Sequence, residues 1–186
     1  MKIISLHNKE SKLIRKAIKQ SREAQQVIFE MYSPKMLSVC RQYVKDQHHA
    51  EDLMLTGFLK VFTNIKNFET KGSFEGWIHR IMVNTCISHL RKNNPIDLVD
   101  DDSFFTELST INIENTGEQE LQNLIDQLPT GYKMVFNLFA IEGYTHAEIA
   151  KSLNISESTS KSQLFKARKW LQKKHEKMNQ QANGDK

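Results

Sequence analysis

Between Phe68 and Lys92 aromatic and cationic side chains are interleaved: Phe68, Lys71, Phe74, Trp77, Arg80 and the closing pair Arg91-Lys92. Single-stranded nucleic acid calls for that mixture, because base faces stack on rings while cations meet phosphates. Lys71 and Gly72 fall in a loop, and Ser73 is placed to cap a helix. That helix carries Phe74, Trp77, Ile78 and Ile81 on its apolar side, with Arg80 on a basic one. Asn84 stands about two turns beyond Trp77 on the same face, where a core would take an aliphatic side chain.

A second constellation runs from Thr145 to Leu171. Thr145 and Glu148 have the spacing of a capping box, Ala150 is small enough to admit a crossing helix, and Asn154 tolerates the left-handed conformation of a tight turn. Ile155 plugs the corner and Ser156 caps the next helix, which makes a helix-turn-helix. In that motif the second helix enters the major groove with its amino-terminal turns toward base edges. With Leu164, Ala167 and Leu171 as the buried stripe, Ser158, Lys161, Ser162, Phe165 and Lys166 are left to face DNA, and Gln163 is taken as a further contact. Lys169, Lys173, Lys174 and Lys177 extend the basic face.

No constellation for catalysis accompanies these two. There is no Ser/His/Asp or Cys/His arrangement, and 7 glycines in 186 residues do not make a phosphate loop. His48, His49, Glu51 and Asp52 cluster in sequence, but adjacent residues on a helix point about 100° apart, so the histidines cannot converge on one ion. No metal and no cofactor is expected. Cys40 and Cys86 lie far apart in helical patterns and read as small buried hydrophobes in a reducing compartment. No apolar run approaches the about 20 residues of a membrane span, and the amino terminus meets polar residues too early for a signal peptide, so a cytoplasmic protein without membrane insertion is expected.

The elements that position these residues are all helical. Ser11 is placed to cap a short helix with Leu13, Ile14, Ala17 and Ile18; another opens near Ser21, and Pro34 fits the first turn of a third. From His48 to Ile65 the apolar set Ala50, Leu53, Leu55, Phe58, Val61 and Phe62 spills beyond one face, leaving Glu51 and Asp52 near the start for a partner helix. A helix from Glu118 holds Leu121, Leu124, Ile125 and Leu128 and stops at Pro129; the next carries Val135 to Ile141 and ends near Gly143. Charge follows the same division. Residues 1–94 carry 16 Lys+Arg against 8 Asp+Glu, residues 95–130 none against 9, and residues 131–186 carry 10 against 5. The reading is an all-α chain of two small helical domains, 1–94 and 118–180, joined by an acidic flexible linker at 95–117 that contains Phe104 and Phe105, with a tail at 181–186.

With both constellations in view, the chain resembles bacterial RNA polymerase sigma factors of the extracytoplasmic-function type, within the sigma-70 superfamily. The resemblance rests on Ala50-Glu51-Asp52-Leu53 with Phe58-Leu59-Lys60-Val61-Phe62, on Phe74-Glu75-Gly76-Trp77-Ile78-His79-Arg80, on Leu128-Pro129 and Glu148-Ile149-Ala150, and on Lys161 to Arg168. It implies a non-enzymatic initiation factor that gives core polymerase promoter specificity and helps to open the duplex. Glu51, Asp52, Leu55 and Phe58 would dock on the clamp helices of the largest polymerase subunit, with the flap of the second largest as a further contact. Phe68, Lys71, Gly72, Ser73, Trp77, Arg80 and Asn84 would receive a flipped base of the minus-ten element, and the helix from Ser156 would read the minus-thirty-five element. An anti-sigma partner is implied as well. The chain departs from the family pattern at Thr56-Gly57, at Ser160, where an aliphatic is common, and at Gln163, where an arginine is common; the last predicts weaker phosphate affinity upstream. The rival reading is a free-standing helix-turn-helix regulator that binds duplex DNA as a dimer.

Overall fold

A computed structural model of the chain describes residues 2–69, 72–93 and 118–184, with the backbone alone for residues 2–8, 93, 118–119 and 179–184. The elements are α1 (Lys2–Ile18), α2 (Arg22–Tyr43), α3 (Gln47–Asn64), a 3-10 turn (Ile65–Asn67), α4 (Phe74–Asn93), α5 (Glu118–Asp126), α6 (Thr130–Phe136), a π turn (Asn137–Ile141), α7 (His146–Leu153) and α8 (Glu157–Gly184), with no strand among the described residues. Two compact units, Met1–Cys86 and Ile87–Lys186, divide the chain inside α4. The linker read at 95–117, with Phe104 and Phe105, lies outside the described residues, as does Lys71.

In the first unit α2 packs on α1 and α3, and the 3-10 turn rests on α1 and α3. Two helix boundaries differ from the sequence expectation. Ser11 does not cap α1, which already runs through it from Lys2. Helical backbone here brings the Glu10 carboxylate to the Tyr32 hydroxyl, which donates to it, and seats Ile14 and Ala17 in the core. Pro34 does not start a helix either: it lies inside α2, which Ser21 caps by accepting from the Ala24 amide at 3.3 Å. An interior proline costs about 3 kcal/mol. The uninterrupted helix keeps Ile28, Tyr32, Met36, Val39, Cys40 and Tyr43 on one buried stripe, and at about 1.5–3 kcal/mol per large apolar side chain that burial outweighs the cost of the proline.

The glycine in α3 has a packing reason. A Cβ on Gly57 would stand 2.2 Å from the Met82 sulfur of α4, and Met82 is wholly buried, so the glycine lets α3 and α4 approach closely. Gly57 thus acts on the interior. Cys40 and Cys86 are buried as expected, but the fold also makes them neighbours: a hydrogen bond with the Cys86 thiol holds Cys40 below the ordinary thiol pKa.

The second unit centres on Leu124, Ile125, Leu128, Ala167 and Leu171, flanked by Leu121, Tyr132, Phe136, Trp170 and Met178. α5 and α6 pack on α8, and α7 crosses it. Beside this core Lys133 and Asp126 form an ion pair at 2.6 Å, with side chains only 8% and 3% exposed. The segment read as one helix through Ile141 is instead α6 followed by the π turn, closed by the Glu142 amide on the Asn137 carbonyl at 3.0 Å. A helix bulge of this kind re-aims side chains: Leu138 is fully buried while Phe139 turns to stack on His146 at 4.7 Å. α8 runs on to Gly184, through most of the stretch read as a tail.

Candidate nucleic-acid interface

In the first unit a cleft of about 420 Å³ between the 3-10 turn and the start of α4 is lined by Asn67, Phe68, Glu69, Gly72, Ser73, Gly76, Trp77 and Arg80. Its floor is aromatic. Phe74 is wholly buried; Tyr32 meets it edge-on at 5.8 Å, and Trp77 lies nearly parallel to it at 5.8 Å with 16° between the planes. Phe68 closes the group, 5.0 Å from Phe74 and 5.6 Å from Trp77. Phe68 and Trp77 stay half-buried, so ring surface remains open to the cleft. Gly72 adopts φ +104, a conformation that side chains with a Cβ rarely take, and Ser73 caps α4 by accepting from the Gly76 amide at 3.3 Å. The Lys35–Glu75 ion pair fastens the first turn of α4 to α2.

The structure brings Phe68, Gly72, Ser73, Trp77 and Arg80 together as expected. Asn84 is exposed on α4 and is not part of the cleft lining. Its position two turns past Trp77 carries it about 10 Å along the helix. Glu69, Gly76 and Asn67 line the cleft as well; Asn67 is the one that sequence reasoning missed, because nothing in its spacing from Trp77 shows that the two share a cavity.

On α3, Asp46 caps the helix, accepting from the His49 amide at 2.9 Å, and this hydrogen bond holds its carboxyl below the ordinary pKa. His48 and His49 each face an acid of their own helix, Glu51 and Asp46, at 3.8 Å. Asp52 is exposed, Glu51 half-buried and Leu55 53% exposed, so these three remain available to a partner. Phe58 does not. It is 2% exposed and packs 4.8 Å from Phe29 and 6.0 Å from Phe62, since burying the ring outweighs any surface role. Leu59, next to it, is turned outward beside Leu55 and is 69% exposed.

The helix-turn-helix forms as its spacing predicts. Thr145 and Glu148 exchange capping bonds, Asn154 sits at φ 57 and ψ 49, the Ile155 amide reaches the Ala150 carbonyl at 3.1 Å, and Ser156 accepts from the Thr159 amide at 2.9 Å. On α8, Leu164, Ala167 and Leu171 are buried; Ser158 and Lys161 are exposed, and Ser162, Phe165 and Lys166 are half-buried. The Ser162 hydroxyl donates to the Thr159 carbonyl at 3.0 Å.

Gln163 departs from the expectation. It is 5% exposed on the inner face beside Ser160 and Thr159, and its Oε1 has no hydrogen-bond partner among the described residues. Leu164 and Ala167 fix the helix phase, and a residue one before the first and four before the second must turn inward with them. Its departure from the family pattern therefore bears on packing rather than on phosphate affinity. Ser160, also interior, is 2.9 Å from Nδ1 of His146. Burial, with Lys161 and Arg168 nearby, pushes the His146 pKa below its ordinary value. The Arg168 guanidinium stands 5.7 Å from the Phe139 ring that His146 stacks on.

Comparison with known proteins matches residues 28–96 to the model of Sigma-70 region 2 and residues 118–171 to that of Sigma-70, region 4. The ECF RNA polymerase sigma factor SigW of Bacillus subtilis is 29% identical, covering 87% of this chain and 96% of its own. The RNA polymerase sigma-H factor of Pseudomonas aeruginosa is 25% identical over 88% of this chain and 92% of its own. Among solved structures, the sigma factor RpoE of Bartonella quintana, in complex with the anti-sigma factor NepR, superposes with a TM-score of 0.49 at 21% identity, over 80% of this chain and 94% of that one.

Proposed function

Because this chain belongs to the sigma-70 family, as an RNA polymerase sigma factor of the extracytoplasmic-function type, we propose that its two surfaces divide the promoter between them. The first unit captures an unpaired base of the minus-ten element in the Phe68–Trp77 cleft. The second reads the minus-thirty-five element with the first turns of α8. The observation that carries this reading is the cleft itself, where open faces of Phe68 and Trp77, the loop at Gly72 and the Arg80 cation meet in one cavity. Extruding a base costs a few kcal/mol of stacking and pairing, and an aromatic floor supplies stacking in return.

Asp52, Leu55 and Leu59 form the outward part of the α3 stretch that the resemblance assigns to core polymerase docking, with Glu51 beside them. Asn84 acts two turns along α4, on the strand leaving the cleft. The protein supplies recognition, and the polymerase supplies the chemistry, in the cytoplasm. No described helix is long and apolar enough to cross a membrane. An anti-sigma factor would act by covering the polymerase-docking surface.

Promoter-dependent run-off transcription with purified core polymerase tests the reading. Transcripts from a specific start, lost when Trp77 is replaced by alanine and recovered on a template with a preformed mismatch bubble, are the expected result. Tight, specific footprinting by the isolated chain as a dimer would overturn it.

A further inference from the structure

α8 is longer than groove reading needs. Ser158 to Lys166 spans about 12 Å at 1.5 Å per residue, which matches the width of the major groove at about 12 Å. The helix continues without a break to Gly184, and the region 4 match ends at residue 171. Lys169, Lys173 and Lys177 recur at intervals of four residues, are all exposed, and continue the outward stripe of Ser158, Ser162 and Lys166 on the same rigid element. Lys174 lies off that stripe, with its ammonium 5.3 Å over the Trp170 ring. Met178 packs against the core of the second unit, so this part of α8 is held in place and needs little ordering on binding.

We propose that Lys169, Lys173 and Lys177 form a second DNA-binding surface on α8, a row of three cations over the duplex phosphates just outside the segment that the first turns of α8 read. The inference rests on the groove reading above. A helix whose amino-terminal turns occupy the groove carries its later turns past the groove edge, where backbone phosphates are the groups within reach. Ammonium groups on long stems meet phosphates as point charges without reading sequence. The surface therefore adds affinity and salt dependence, not base preference.

The test is the salt dependence of promoter binding by the full chain with core polymerase. Each phosphate left without its cation lowers the slope of log K against log salt by about 0.9, so Lys169→Gln/Lys173→Gln/Lys177→Gln together lower it by about 2.7. Preference among minus-thirty-five sequences stays unchanged, the triple Lys→Arg variant keeps the wild-type slope, and Lys174→Gln behaves as wild type. Cutting the template back to the edge of the minus-thirty-five element removes the same increment and leaves the triple variant nothing more to lose. An unchanged slope in the triple variant overturns the inference. It falls alone when Lys166→Ala still weakens promoter binding, and together with the groove reading when Lys166→Ala is silent too. Weaker binding of the triple variant to core polymerase without DNA also overturns it, and assigns the lysines to an acidic protein surface.

Discussion

The surfaces proposed for nucleic acid on the two units have opposite shapes. In the first the candidate surface is concave, a cleft lined by Phe68, Gly72, Trp77 and Arg80 beside a stack of aromatic rings; in the second it is convex, the outward stripe of one helix. Their interiors differ to match. The first unit buries large apolar side chains such as Phe74, Ile78 and Met82 together with the polar Thr85, whereas the second buries Lys133, Asn137, Thr159, Ser160 and Gln163 beside its apolar core. A cleft that must hold its shape while a base is forced into it needs a stiff, well-packed floor. A convex helix needs only its phase, and an interior that sets the phase tolerates polar groups as long as most are paired.

Breaking the ion pair under the second unit should have the largest effect. Asp126→Ala strands the Lys133 ammonium in the interior and is expected to cost about 3–5 kcal/mol in urea unfolding. Replacing both partners, Asp126→Leu with Lys133→Met, should restore most of that stability; if the double variant is as unstable as the single one, packing and not charge holds the site.

In the first unit the sharper contrast lies along α4. Trp77→Ala removes stacking of about 1–3 kcal/mol per base and should reduce strand opening about ten- to a hundred-fold, with recovery on a bubble template. Asn84→Ala, at an exposed position, should fold normally by circular dichroism and show a smaller defect. Equal defects in the two variants would shift the base-binding position along the helix.

Gln163→Leu tests whether the polar interior of the second unit matters for reading DNA. Removing a buried carbonyl without a partner should stabilise the unit by about 1–2 kcal/mol and leave promoter preference unchanged. Altered preference would put the side chain back at the DNA.

The smallest expected effect is that of pH on His146. Its folded pKa lies below the ordinary histidine value of about 6.5, so between the two the unfolded chain binds more protons. Stability is therefore full above about pH 6.5 and declines as pH falls below it. His146→Gln should flatten the difference between urea midpoints at pH 7.5 and pH 5.5, and an equal acid loss in both would assign the sensitivity to other groups.

Features that depend on neighbours within a few residues were legible in the chain: the capping box at Thr145 and Glu148, the left-handed Asn154, the buried stripe of Leu164, Ala167 and Leu171, and the cap at Ser73. Each follows from helix periodicity and local hydrogen bonding, which act through the order of residues alone. The outward face of α8 belongs to this group, apart from Gln163, whose polarity masked its inward position. Pro34 misled for a related reason: its local preference for a helix start is real, and the stripe from Ile28 to Tyr43 overrides it only once α1 and α3 are there to cover it.

What only the tertiary structure decided are the meetings of residues distant in sequence. Phe58 was readable as apolar, but whether it faced a partner or Phe29 depended on how α2 packs against α3. Gly57 looked like a weakness in a helix until Met82 came to lie against it, and Cys40 and Cys86 became neighbours only when α4 joined the core. The cleft is of the same kind, because Asn67 and Glu69 share its lining with Trp77 by the packing of the fold and not through any period in the sequence. A helix face repeats at a fixed angle per residue and can be counted from the chain, whereas a cavity is the space left between elements, set by side-chain volumes that meet only after the chain has folded.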